Sequence, residues 1–179
     1  MMIRAIGPYQ LVRPLGRGGM AEVHLAVAHG ASGFERRVAI KTLAPELAGD
    51  PDLERALIRE AVLGGALHHR NVVAVLGLGC DDGAYYVVLE HVDGGDLARW
   101  LDPARPVPEP LALHVAHELA LALAYLHGVR DSRVTGRQVC ADVRTMPILA
   151  DKKIFSASYR KTAELSSALQ KQRKNNPLI

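Results

Sequence analysis

Three features of this 179-residue chain combine residue type and spacing in a way that could do chemistry. The first is Gly16-Arg17-Gly18-Gly19-Met20-Ala21, spaced GxGxxA. Glycines at a hairpin tip let backbone N–H groups approach phosphate oxygens, because no side chain intervenes and unusual backbone angles are open to them. An ordinary flexible hairpin looks the same, so this spacing alone leaves both readings open. The second is Lys41, which ends Val38-Ala39-Ile40-Lys41 and is the only lysine in residues 1–151, where 14 arginines carry the other positive charges. A lone lysine among arginines fits a site that needs a compact point charge rather than a planar fork; the alternative is a solvated lysine at a strand end. The third is Glu60, which falls on the apolar stripe of Leu53, Ala56, Leu57, Ala61 and Leu67. A carboxylate on a buried face is costly unless a cation pairs with it. Lys41 is the natural partner, and the pair would hold the ammonium toward a phosphate. A Glu60 at the edge of the stripe would instead be served by water.

Positioning these groups falls to the elements around them. Tyr9–Leu15 alternates as Tyr9, Leu11, Arg13 and Leu15, and Val23, Leu25 and Val27 alternate with Glu22 and His24, so both segments read as strands. The glycine tip between them makes the pair a hairpin. A turn at Gly30–Gly33 leads into a third strand, Arg37–Lys41. From Asp52 to His68 the stripe that carries Glu60 recurs at three- and four-residue steps, the spacing of a helix. Strand-like runs at Val72–Gly79 and Ala84–Leu89 flank the turn Asp81-Asp82-Gly83. Gly94-Gly95-Asp96 ends the sheet and offers Asp96 as the N-cap of a short helix through Leu101. A proline-rich loop over 103–110 then leads to an amphipathic helix, Leu111–His127, with Leu111, Val115, Leu119, Leu123 and Leu126 on one face. Strands clustered before helices predict an α+β domain rather than a doubly wound one.

A composition of 49% hydrophobic and 23% charged residues excludes wholesale disorder and a fibrous repeat. Cys80 and Cys140 are too far apart for a CxxC site, so neither a disulfide framework nor a zinc knuckle is expected. The start, MMIRAIGPYQ, lacks the apolar run of a signal peptide, and Leu111–Leu126 is interrupted by His114, His117 and Glu118; no membrane span is expected. The net charge of +3 is unevenly divided: residues 1–151 carry −3 and residues 152–179 carry +6. The basic tail reads as a solvated, partly disordered segment, with a binding arm as the alternative. It has only Phe155 and Tyr159 as aromatics, so no specific nucleic-acid partner is expected.

Taken together, LGRGGMAEV (15–23), VAIK (38–41), Glu60 in REAVLGGALHHRNVV and YVVLEHVDGGDL (86–97) resemble the amino-terminal lobe of protein kinases, and most closely the bacterial eukaryotic-like Ser/Thr kinases. Ala21 replaces the third glycine of the family's loop. The resemblance implies a five-stranded antiparallel sheet with one major helix, followed by helices of an incomplete second lobe. Residues 1–8 would form an N-terminal extension, 9–92 the first lobe, 93–131 the hinge and first helices of the second, and 132–179 a basic tail of unrelated composition. It further implies that ATP is bound: Gly16 and Gly18 cover its phosphates beside Leu15, Val23 and Ala39 pack on adenine, and Lys41 contacts the α- and β-phosphates while paired with Glu60. Leu89 would be the gatekeeper, Glu90–Val92 the hinge that hydrogen-bonds adenine, and Asp96 a ribose contact. A protein substrate or partner kinase and Mg²⁺ are expected on the same ground, and the two widely spaced cysteines point to a reducing, cytoplasmic setting.

The family's pattern stops after Ala124-Tyr125-Leu126-His127. No HRDxxxxN, DFG or APE follows. Val129-Arg130-Asp131 is the nearest imitation of the catalytic loop, but the position five residues after Asp131 is Gly136 rather than asparagine, and Asp142 is a poorer stand-in for the magnesium-binding aspartate. No catalytic base and no metal ligands are therefore identified. With 52 residues after His127, the change of composition is expected to reflect truncation, a frameshift or fusion. The readings that follow are an ATP-binding domain of a phosphoryl-transfer family, a catalytically silent nucleotide-binding or interaction module, and a defective product without a stable fold. Elsewhere, His114 and His117 share a helix face without a third ligand, His68-His69 suit a helix end, and the acidic turn beside Cys80 counts against a nucleophile there.

Overall fold

The alternating segments form strands in a computed structural model that describes residues 5–94 and 107–129. In chain order the elements are β1 (Ala5–Ile6), β2 (Tyr9–Arg17), β3 (Ala21–His29), β4 (Glu35–Leu43), α1 (Pro51–Gly65), β5 (Val75–Asp81), β6 (Ala84–Glu90) and α2 (Glu109–Gly128). The strands make one antiparallel sheet in the order β1-β2-β3-β4-β6-β5, so the fold is α+β as expected. The sheet has six strands where five were expected. The additional one pairs Ala5 with Gln10 and Ile6 with Tyr9. Two residues are too few to show an alternation, and they join the sheet from within a segment expected to stand outside it.

Register divides the sheet into two faces. Val23, Lys41 and Val87 are successive cross-strand partners, as are Leu25, Ala39 and Leu89, and these rows share the face on which α1 lies. On the opposite face Ala26, Val38, Ile40, Tyr86 and Val88 form a core cluster with Ile6, Tyr9 and Leu11. The sheet curls enough for its two edges to meet over this cluster: the Gly7 N–H, in the β1–β2 turn, donates to Asp81 Oδ2 of β5 at 2.7 Å. Tyr86 fills the junction, edge-on to Tyr9 with ring centroids 6.0 Å apart. A Cβ at Gly79 would overlap its ring, so a side chain there is excluded by packing. The β5–β6 turn places Asp82 and Gly83 at φ of 47° and 80°, the left-handed pair that a two-residue hairpin requires.

Helix α1 starts where Asp50 accepts hydrogen bonds from the N–H groups of Asp52 and Leu53 at 2.9 and 3.2 Å, with Pro51 in the first turn. It ends at Gly65, three residues before the expected His68, because Leu67 leaves the helix to join Leu63, Val72, Ala122 and Leu126 in a cluster against α2. For the same reason β5 begins at Val75 rather than Val72. Helix α2 turns Leu111, Glu118, Ala122 and Leu126 inward. Leu119, expected on the buried face, is 36% exposed, and Leu113 and Leu121 also face outward. Ala122, fully buried, lets α2 approach Leu63 and Leu67 closely, and that sets the helix's rotation. Asp96, its short helix through Leu101, and the basic tail lie outside the described residues.

Candidate functional site

The β2–β3 tip is closed by the Gly18 N–H donating to the Ala21 carbonyl at 2.8 Å, above the paired residues Arg17 and Glu22. A register shift between Pro14 and Gly16 leaves Leu15 out of the pairing, half-buried at the base of the tip. Nothing in the described chain demands glycine at the tip. A Cβ at Gly16 or Gly19 would meet no atom within 4 Å, one at Gly18 would meet only the Ala21 carbonyl at 3.8 Å, and none of the three has a positive φ. Glycines that neither packing nor backbone angle requires are suited to the close approach of a group from outside the chain.

Below the tip, Gly16, Val23 and Lys41 lie in one cross-strand row. Lys41 is 7% exposed, an expensive place for an ammonium. Glu60 meets it from α1 with both oxygens, at 2.7 and 2.6 Å from Nζ. The structure thus brings together the two residues whose pairing the stripe on α1 implied. The next row supplies Ala39, 6% exposed, between Leu25 and the half-buried Leu89. Val23 is also half-buried on this face. The result is an apolar floor of Val23, Ala39 and Leu89 beside one fixed positive charge, under an open glycine tip. At the end of β6 the Glu90 side chain is engaged elsewhere: its Oε1 accepts from the Ala74 N–H at 2.8 Å while its own N–H donates to the Ala74 carbonyl at 2.9 Å. This clasp fixes the chain leading to the half-buried Val92.

Two further groups escaped the sequence reading, one at the tip and one on α2. Arg17, in the tip, pairs with Glu22 at 3.0 Å and with Glu46, which precedes α1. The Glu46 carboxyl is held below its usual range by its own backbone N–H and then by Arg17. The three are exposed or partly so, and only their convergence in space reveals them. Away from the tip, Glu118 on α2 is buried, where the sequence had shown only an interruption of an apolar run. Among the described residues no group of three or more His, Cys, Asp or Glu side chains is gathered closely enough to hold a metal ion. Asp131 and Asp142 lie outside them. His69 stacks on Tyr125 at 5.0 Å, with its Nδ1 accepting from the Asn71 N–H. Cys80 is exposed and unbonded to sulfur, and no described helix is long and apolar enough to cross a membrane.

Residues 9–143 match the family described as protein tyrosine and serine/threonine kinase. The chain is 40% identical over 130 residues to the tyrosine-protein kinase MasK of Myxococcus xanthus, covering 70% of this chain and 20% of that protein. It is 36% identical over 124 residues to the serine/threonine-protein kinase PrkC of Bacillus subtilis, covering 69% of this chain and 19% of that one. The fold superposes on the crystal structure of the PknI kinase domain of Mycobacterium tuberculosis with a TM-score of 0.55 and 30% identity, over 70% of this chain and 49% of that domain. The chain therefore spans about a fifth of the curated relatives it matches and about half of a solved kinase domain.

Proposed function

This chain belongs to the protein tyrosine and serine/threonine kinase family, and from that membership we propose that it binds ATP as the nucleotide-holding part of a protein-phosphorylating domain. The observation that carries the reading is the buried Lys41–Glu60 pair beneath a tip whose glycines have no internal reason to be glycine. Adenine would lie on Val23, Ala39 and Leu89, with Leu15 over it and the backbone of Glu90–Val92 at its edge. The tip N–H groups of Gly16 and Gly18 and the Lys41 ammonium would hold the phosphates. Glu60 keeps that ammonium aimed and prevents it from swinging to solvent, so the charge is in place before the anion arrives. Asp96 is proposed as a ribose contact.

The family's reaction moves the γ-phosphoryl group of ATP to a protein hydroxyl, and Ser or Thr is the acceptor proposed here, within a cytoplasmic setting where ATP is available. Mg²⁺ assists that chemistry in the family, and among the described residues no group of three or more His, Cys, Asp or Glu side chains is gathered for it. A second reading, a silent nucleotide-binding or interaction module, is favoured by Gly136 standing where the catalytic loop would require asparagine. Calorimetry of ATP with and without Mg²⁺, on the wild type and Lys41→Ala, followed by radiolabelled phosphate transfer to a generic protein substrate, tests both. Lys41-dependent binding with transfer supports the kinase, and the same binding without transfer supports the silent module. A folded chain that binds no ATP refutes both nucleotide readings.

A further inference from the structure

The glycine tip is tied to the rest of the fold at two points of unequal kind. On its returning side the Met20 carbonyl accepts from the Ala44 N–H at 3.0 Å, which fastens the tip to the end of β4 by the backbone. On its outgoing side, where Gly16 and Gly18 stand, the last cross-strand pairing is Arg17 with Glu22, and the Gly18 N–H donates only within the tip, to Ala21. Arg17 supplies the attachment that the backbone lacks there. It belongs to the row Arg17, Glu22 and Thr42, and alternation sends that row to the face of the hairpin opposite Gly16, Val23 and Lys41. From this outer face its guanidinium pairs with Glu22 at 3.0 Å and reaches Glu46, beyond the end of β4.

Glu46 stands on a fixed post. Pro45–Leu47 is a single turn of 3-10 helix, closed by the Leu47 N–H donating to the Ala44 carbonyl at 2.8 Å and the Ala48 N–H to Pro45 at 3.3 Å. Its base, Ala44, is fully buried, and the Asp50 N–H joins its end to the cap of α1 through the Leu47 carbonyl. The tip has no such support: Met20 is exposed, and the spaces beside Gly16 and Gly19 are open. Unpacked segments of this kind open locally at little cost, and ordering them around a ligand costs conformational entropy. The Arg17 and Glu46 side chains keep 55% and 57% exposure, so their pair adds little to the stability of the whole fold. Its effect is confined to where the tip sits.

We propose that Arg17 and Glu46 are positioning residues that form a latch on the glycine tip: Glu46, fixed in the turn before α1, holds Arg17 from the outer face and so sets where the tip N–H groups stand before a nucleotide arrives. Charge alone predicts the opposite role for Glu46. One guanidinium between the carboxylates of Glu22 and Glu46 leaves the cluster net negative, and removing Glu46 would then favour a polyanion at the tip. A latch makes the same removal unfavourable, because the tip loses its order. The consequence for ATP affinity rests on the function proposed above; the hold of Glu46 on the tip does not.

The test combines amide hydrogen exchange, resolved by residue in the full chain, with calorimetry of ATP on the same samples. The variants are Glu46→Gln, Arg17→Gln and the two together. Each is expected to exchange the Gly18 amide at least threefold faster than wild type, while the Glu90 amide, bonded to the Ala74 carbonyl far from the tip, stays within twofold. Glu46→Gln is expected to bind ATP at least threefold more weakly, and adding it to Arg17→Gln is expected to weaken binding no further, since the latch is already open. A merely structural role would lower the urea midpoint and speed exchange at Glu90 as much as at Gly18, and that outcome overturns the proposal. Wild-type exchange at Gly18 in Glu46→Gln overturns it as well, and so does tighter ATP binding by that variant, the signature of charge alone. Wild-type protein that binds no ATP, in which Glu46→Gln still frees the Gly18 amide, sinks the nucleotide reading and leaves the latch intact.

Discussion

Replacing Lys41 with methionine removes the cation, keeps most of the stem's bulk, and leaves Glu60 charged against the apolar face of the sheet. At the observed 2.6 Å, and with an effective dielectric of about 20, the lost attraction is roughly 6 kcal/mol before desolvation is counted. Desolvation of the two ions offsets much of this. Breaking a buried pair from one side costs about 3–5 kcal/mol, because the remaining charge has no partner. The Glu60 side chain keeps 16% exposure, so water recovers part of that and the expected loss lies at the lower end, about 3 kcal/mol. Removing both charges in Lys41→Met/Glu60→Leu abolishes the orphan, and the double variant is expected within about 1 kcal/mol of wild type. With a urea m-value of about 2 kcal/mol/M, the single variant should lower the unfolding midpoint by about 1.5 M and the double by under about 0.5 M. Urea unfolding followed by circular dichroism measures both. The reasoning is refuted if the double variant is as unstable as the single one, because the loss would then come from packing rather than from an unpaired carboxylate.

Two further outcomes are expected. Gly79→Ala should cost about 1–3 kcal/mol, since its Cβ would overlap the Tyr86 ring, whereas Gly77→Ala, with only Val88 atoms at 3.9–4.0 Å, should be close to neutral; paired thermal melts distinguish them. The Glu118 pKa is lowered in the folded protein, so its stabilising effect is fully present above the unfolded value of about 4.3 and disappears as pH falls through the lower folded value. The stability difference between wild type and Glu118→Gln, measured by urea titration from neutral to acid pH, should shrink in that window with Arg70 still charged, and a difference that grows on acidification would contradict the assigned direction.

Much of this arrangement was legible because the relevant signals are local. Alternation located the long strands, the glycines located the hairpin tip, and the isolated Lys41 with the misplaced Glu60 pointed to an ion pair that the structure shows to be bidentate. What escaped depends on separation. Glu118 was counted as a polar break in an apolar helix because its partners, Asn71 and Arg70, are more than 40 residues away and only the fold brings them near. The rotation of α2 was misjudged for the same reason. An apolar stripe counts leucines, but here the close approach is set by Ala122, the smallest residue on the buried face. Helix α1 ended early because Leu67 has a better apolar destination in the α2 cluster than on its own helix, a choice that no window of 15 residues contains.

The bond between Gly7 and Asp81 joins positions 74 residues apart and closes a sheet whose other neighbours along β1-β2-β3-β4 are sequential hairpins. Those hairpins can zip as the chain leaves the ribosome, but β4 has no second neighbour until β6 has been made, and the turn after β1 has no anchor until β5 has been made. During synthesis the cluster of Ala26, Val38 and Ile40, with Ile6, Tyr9 and Leu11 packed on it, therefore lacks Tyr86 and Val88 for the whole interval in which α1 is being translated. The last two strands of the sheet-forming segment, β5 and β6, act as a clasp on work already done. A chain arrested before Glu90 would carry the glycine tip, Lys41 and Glu60 in its sequence while leaving β4 an open, sticky edge, which makes the order of synthesis a determinant of how often this half-fold is completed rather than lost to aggregation.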